Sequence, residues 1–113
     1  MDSAKQEYAV GPVQSFLPQI GRVVTAGNLE LAIFRTSDGA FYAVENSSPH
    51  PKGGPLAEGI VSGHYLYDPL YDWKIDLRSG EVQAPDHGTV ATFPVSLDGD
   101  IVKVSLQQAV FQS

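Results

Sequence analysis

The sequence predicts an all-β fold, and three observations carry that expectation. Turn-forming residues recur at short intervals, with 11 Gly and 8 Pro in 113 residues. The stretches between them are short and rich in β-branched and aromatic side chains, a spacing that favours a sandwich or a barrel. Helical periodicity is weak. Val13 to Ile20 is interrupted by Pro18, and the end of the chain, 106–113, has room for only one or two turns. So short a helix is marginal in water, and this segment is expected to be a fraying tail.

Taken in order, the elements begin with Leu29 to Phe34, whose early apolar/polar alternation suits a half-buried strand. Ser37-Asp38-Gly39 makes a turn, and Phe41-Tyr42-Ala43-Val44 returns as the second arm of a hairpin. Asn46 to Gly59 holds three Pro and three Gly and is too broken for helix or strand, so it is expected to be a shaped loop. Tyr65-Leu66-Tyr67 and Trp73-Lys74-Ile75-Asp76-Leu77 read as strands around a second loop, with a tight turn at Arg78-Ser79-Gly80 before Glu81-Val82. A last hairpin runs from Phe93 to Ser105 around Asp98-Gly99, a strong hairpin signal because both residues tolerate positive φ. Pro94 places its strand at an edge or at a strand start.

Composition bounds the function. One domain, 1–113, is expected from the length. The chain is 42% hydrophobic and 18% charged, enough for one modest core. No apolar run approaches the roughly 20 residues of a membrane helix. Met1 to Glu7 is polar and lacks the pattern of a secretion leader, so a cytoplasmic protein is expected. The net charge of −6 with scattered Lys and Arg argues against nucleic acid as a partner, since phosphate binding needs a basic patch. There is no cysteine, which excludes disulfides, zinc ribbons and thiol catalysis.

The motifs concentrate in 46–82. Val44-Glu45-Asn46 leads into Ser48-x-His50, then Gly53-Gly54-Pro55-Leu56 and Gly59. After seventeen residues from His50 come Asp68-Pro69-Leu70-Tyr71, Trp73 and Leu77-x-x-Gly80. Two short loops at this separation resemble the Rieske family. Its [2Fe–2S] cluster is held by Cys-x-His and Cys-x-x-His, two thiolates on one iron and two imidazoles on the other. The resemblance implies an antiparallel β-sandwich with a two-loop cluster subdomain, 46–82. It also implies that Ser48, His50, Asp68 and Tyr71 stand at the ligand positions, three of them substituted.

Within that family, Pro49-His50-Pro51-Lys52-Gly53-Gly54-Pro55-Leu56 with Glu58 to Gly63 is similar to the small subunit of NAD(P)H-dependent assimilatory nitrite reductase. So is Gly80 to Asp86. This group includes members without cluster ligands. By resemblance, the partner is a large catalytic subunit carrying FAD, a [4Fe–4S] cluster and siroheme, which reduces nitrite to ammonium. The chain is then an accessory subunit with no cofactor and no catalysis of its own. It docks through a tip formed by Pro49, His50, Pro51, Pro69 and Leu70, where family members expose their cluster imidazoles. Two alternatives stand beside this reading: a ferredoxin component of an oxygenase, and a non-redox module that binds a small ligand or regulates.

The residues at the ligand positions favour loss of the cluster. Hydroxyl, carboxylate and phenol are harder donors than thiolate. His50 and Asp68, with Tyr71 or Ser48, make a thin mononuclear metal site, and the expectation is that they hydrogen-bond one another instead. Asp68 is expected to bond His50, and Tyr71 to fill the gap while its hydroxyl finds a partner. Ser48, His50 and Asp68 are the residue types of a hydrolytic triad, but a triad is recognised by geometry. Trp73 is expected in the core. His64 and His87 follow turn residues and are expected to be solvated.

Overall fold

The computed structural model describes residues 7–106. It contains ten strands and one 3-10 turn: β1 (Glu7–Pro12), the turn Val13–Ser15, β2 (Arg22–Ala26), β3 (Leu29–Arg35), β4 (Phe41–Glu45), β5 (Ile60–Ser62), β6 (Tyr65–Tyr67), β7 (Lys74–Asp76), β8 (Thr92–Phe93), β9 (Val95–Asp98) and β10 (Ile101–Ser105). They form three antiparallel sheets, ordered β1-β10-β9, β2-β3-β4-β8 and β5-β6-β7. The all-β expectation holds. The 106–113 tail lies outside the described residues except for Leu106, which packs against the core.

The second sheet separates two apolar clusters. Leu31, Ile33, Ala43 and Phe93 face Phe16, Val102 and Val104 on one side. Ala32, Phe34 and Val44 face Leu56, Val61, Leu66, Ile75 and Leu77 on the other. Strand β3 was expected to be half-buried, yet Leu31 to Phe34 are all fully buried. The reason is that both its faces are covered, which turns an alternating strand into a continuous apolar run. Trp73 packs against the second cluster, as expected.

Three strands were not foreseen. β1 is interrupted by a bulge between Ala9 and Gly11, β2 carries Arg22 and Thr25, and β5 has only three residues. Their pairing partners, not their own patterns, make them strands. The last hairpin slips by one residue from the sequence reading. Asp98 pairs Ile101, so the turn is Gly99-Asp100, with Gly99 at φ 62. Glu81 and Val82 make only isolated bridges, and not a full strand.

His64 is a correction. It does sit in the β5–β6 turn, but its Nε2 is buried with no hydrogen-bond partner, 4.0 Å from Asp76 Oδ2. The Asp76 carboxylate is engaged by Arg78: Oδ1 accepts from the backbone N–H at 2.8 Å, and Oδ2 accepts from a guanidinium N–H at 3.0 Å. These Arg78 hydrogen bonds hold Asp76 below the usual carboxylate range, although burial works in the opposite direction. A folded pKa below the unfolded one means stability that is complete above about pH 4 and fades as pH falls through the lower folded value. Arg78→Met is therefore expected to flatten the loss of stability below pH 4, measured by urea unfolding. An unchanged acid limb would exclude this pair as a source of acid sensitivity.

Candidate functional site

The first loop is closed at its base by Asn46. Its side-chain oxygen accepts the backbone N–H groups of Leu56 and Ala57 at 2.7 and 2.9 Å, and its amide donates to Glu30 at 2.7 Å. Higher up, Ser48 N–H donates to Gly54 C=O at 2.7 Å and Gly53 N–H to His50 C=O at 2.8 Å. Gly54 has φ 112, and a Cβ there would lie 2.8 Å from Leu70 Cδ1. That atom is the tip of an exposed side chain that can turn away, so the left-handed φ is the firmer constraint at this position.

The second loop is built around Asp68. Asp68 N–H donates to Trp73 C=O at 2.9 Å. Its side-chain Oδ1 accepts the N–H groups of Leu70 and Tyr71 at 2.8 and 3.2 Å. This is the local turn chemistry for which Asp is favoured. Asp68 and Ser48 are both buried.

Two contacts join the loops. Ser48 Oγ donates to Asp68 Oδ2 and also accepts His50 N–H at 3.1 Å. The rings of His50 and Tyr71 are stacked, with centroids 3.6 Å apart and planes 7° from parallel. Trp73 lies against the same imidazole at 4.8 Å and 56°. The four sequence-derived positions are thus brought together, but in different pairs from those expected. Asp68 bonds Ser48, not His50. The imidazole Nδ1 accepts Lys52 N–H at 3.0 Å. The Tyr71 ring lies flat on the imidazole, and its hydroxyl, which was expected to find a partner, makes no hydrogen bond among the described residues. With Ser48 Oγ turned to Asp68 and the imidazole stacked on Tyr71, the arrangement is not a hydrolytic triad.

Among the tip residues, Pro51, Pro69 and Leu70 are exposed and Pro49 and His50 are half-buried. Leu70 is 62% exposed. Sequence reasoning missed the part played by Asn46. The signal was present, because a short polar side chain before a Pro- and Gly-rich loop can satisfy loop amides.

The fold and the paired loops define the class of protein. The chain belongs to the Rieske-like [2Fe-2S] domain family, which it matches over residues 8–105. Comparison by sequence with curated proteins finds no match. Among solved structures the chain is similar to a protein assigned as the NADH-dependent nitrite reductase small subunit of Mycobacterium tuberculosis. The two are 21% identical, with a TM-score of 0.83 over 94% of this chain and 98% of that one. It is similar to the E. coli protein NirD at 20% identity and a TM-score of 0.78, over 89% and 96% of the two chains. It is also similar to the ferredoxin of carbazole 1,9a-dioxygenase from Nocardioides aromaticivorans, at 22% identity and a TM-score of 0.79, over 88% and 96%. Among the described residues no helix is long and apolar enough to cross a membrane.

The residues present do not fit the family's cluster. A Rieske centre takes two thiolates and two imidazoles, and this chain has no cysteine. Ser48 and Asp68 are engaged with each other, and only His50 offers a ligand of the usual kind. No group of three or more His, Asp or Glu side chains is placed to hold a metal ion among the described residues.

Proposed function

We propose that this chain is a clusterless accessory subunit of an NAD(P)H-dependent nitrite reductase, acting in the cytoplasm by binding the large siroheme- and FAD-bearing subunit. The observation that carries the reading is the closed pair of loops. Ser48–Asp68 and His50–Tyr71 supply the ties that a cluster supplies elsewhere in the family, so the tip keeps its shape without electron-transfer chemistry. Apolar and Pro-rich residues on rigid loops suit protein contact, because little conformational freedom is lost on binding. Structural likeness to nitrite reductase small subunits supports the choice of partner. The ferredoxin likeness is the competing reading, and the donor set argues against it.

Co-expression with the large subunit is the test. The expected result is a stable complex that survives size exclusion, and a purified small chain with no visible absorption and no bound iron. A coloured, iron-containing chain would favour the ferredoxin reading, and a large subunit that elutes without this chain would sink the accessory role.

A further inference from the structure

His64 lies at the end of the third sheet remote from the paired loops. Strands β6 and β7 are antiparallel, with Tyr67 opposite Lys74 next to the second loop and Tyr65 opposite Asp76 at the far end. The His64 backbone is fixed there, because its C=O accepts Leu77 N–H at 2.9 Å. Its half-buried ring borders a recess of about 270 Å³ shared with Thr36, Asp38, Tyr42, Gly63 and Arg78. The turn is uncrowded on the Gly63 side, where an added Cβ would meet nothing within 4 Å.

His64 Nε2 is the one buried side-chain nitrogen or oxygen without a hydrogen-bond partner among the described residues. Asp76 Oδ2 is 4.0 Å away, beyond hydrogen-bond reach, and a buried polar atom left unpaired costs free energy. Charged groups face the ring from each packed element. The end of β7 brings Asp76 and its ion-pair partner Arg78. The β3–β4 turn brings Asp38. Beside the imidazole, at 4.2 Å between centroids, is the Tyr65 ring, with the Lys74 ammonium held over it. Two carboxylates thus stand against one guanidinium around the recess. Both are held below the usual carboxylate range, Asp38 mainly by the Thr36 hydroxyl and Asp76 mainly by Arg78, and positive charge on His64 adds to both effects.

We propose that His64 is a proton-operated latch, in which a proton taken up from solvent turns Nε2 into a charged donor that closes on Asp76 and ties the β5–β6 turn to β7. A neutral imidazole has one N–H, whereas the protonated ring donates from both nitrogens. A charge-assisted bond of this kind is about 2.7–2.9 Å long, so the ring has to move by roughly 1 Å. Rotation of the side chain beside the open recess supplies that movement while the backbone stays bonded to Leu77. Asp38, on the facing turn, favours the same charge from the second sheet. The sign follows from the partner gained. The added stability is complete below the ordinary histidine range, about pH 6.5, and is lost as pH rises. The latch does not depend on the accessory-subunit reading.

Urea unfolding between pH 5 and pH 8 tests it, a window above the carboxylate transitions. The variants are His64→Gln, Asp76→Asn and the two combined, with His87→Gln, an exposed histidine, as control. On going from pH 8 to pH 5, the unfolding constant of the unaltered chain is expected to fall about fivefold relative to that of His64→Gln. The control is expected to follow the unaltered chain. With Asn at position 76, the presence or absence of His64 is expected to make no pH-dependent difference. A His64→Gln chain whose stability differs from the unaltered one by the same factor at both pH values shows a purely structural histidine and overturns the latch. A pH-dependent difference that survives Asp76→Asn overturns the assignment of Asp76 as its partner.

Discussion

Asp68→Ala is expected to destabilise the chain by about 3 kcal/mol, because three hydrogen bonds end on this buried carboxylate and each contributes about 1 kcal/mol. Those from Leu70 and Tyr71 shape the second loop, and the one from Ser48 ties it to the first. The corresponding fall in Tm is roughly 10–20 °C. Asp68→Asn keeps an acceptor for the two amides, so its loss is expected to be near 1 kcal/mol. Ser48→Ala removes the tie and the acceptor of His50 N–H, and belongs between the two. Thermal melts give the ranking, and hydrogen exchange locates the damage at the amides of Leu70 and Tyr71. An Asp68→Ala chain that melts like the unaltered one, with those amides still protected, would show that the loops hold their shape by other means. Under the proposed function, binding to the large subunit should weaken in the same order, because the tip depends on both loops.

Gly80→Ala is the second large effect, with an expected loss of roughly 2–5 kcal/mol. Two causes add at this position. Gly80 has φ +81, and a Cβ on it would lie 2.2 Å from Val90 C=O and 3.0 Å from Thr92 Cγ2. The contact is with backbone, and it falls where Gly80 C=O accepts Val90 N–H at 2.9 Å. Relief would therefore have to move the segment that leads into β8. Gly39→Ala separates the causes. Gly39 has a similar φ of +90 but no atom within 4 Å of an added Cβ, so only the backbone cost of about 1–2 kcal/mol applies. Equal losses at the two positions, read from urea unfolding, would rule out the steric part.

Much of this protein was legible without coordinates. The β3–β4 hairpin could be read because Ser37-Asp38-Gly39 is local turn chemistry, and the Asn46–Gly59 loop because Pro and Gly forbid anything regular there. Ser48, His50, Asp68 and Tyr71 were picked out by the resemblance of their two loops to the Rieske family. Their pairing was not. Oppositely charged residue types suggested Asp68 with His50, whereas the chain places Asp68 against Ser48 and lays His50 flat on Tyr71. His64 was misjudged for a related reason. A turn position is usually wet, but β7 brings Asp76 against this one.

The sequence by itself determined the fold class, the family and the lack of thiolate ligands, since turn residues, motif spacing and the count of a residue type are properties of the chain alone. Only the tertiary structure decided which polar groups meet, that both faces of β3 are covered, and that Asp76 lies against His64. Those outcomes depend on distances between residues far apart in the chain. Such distances are set by how three sheets pack on two apolar clusters, and no local pattern encodes them.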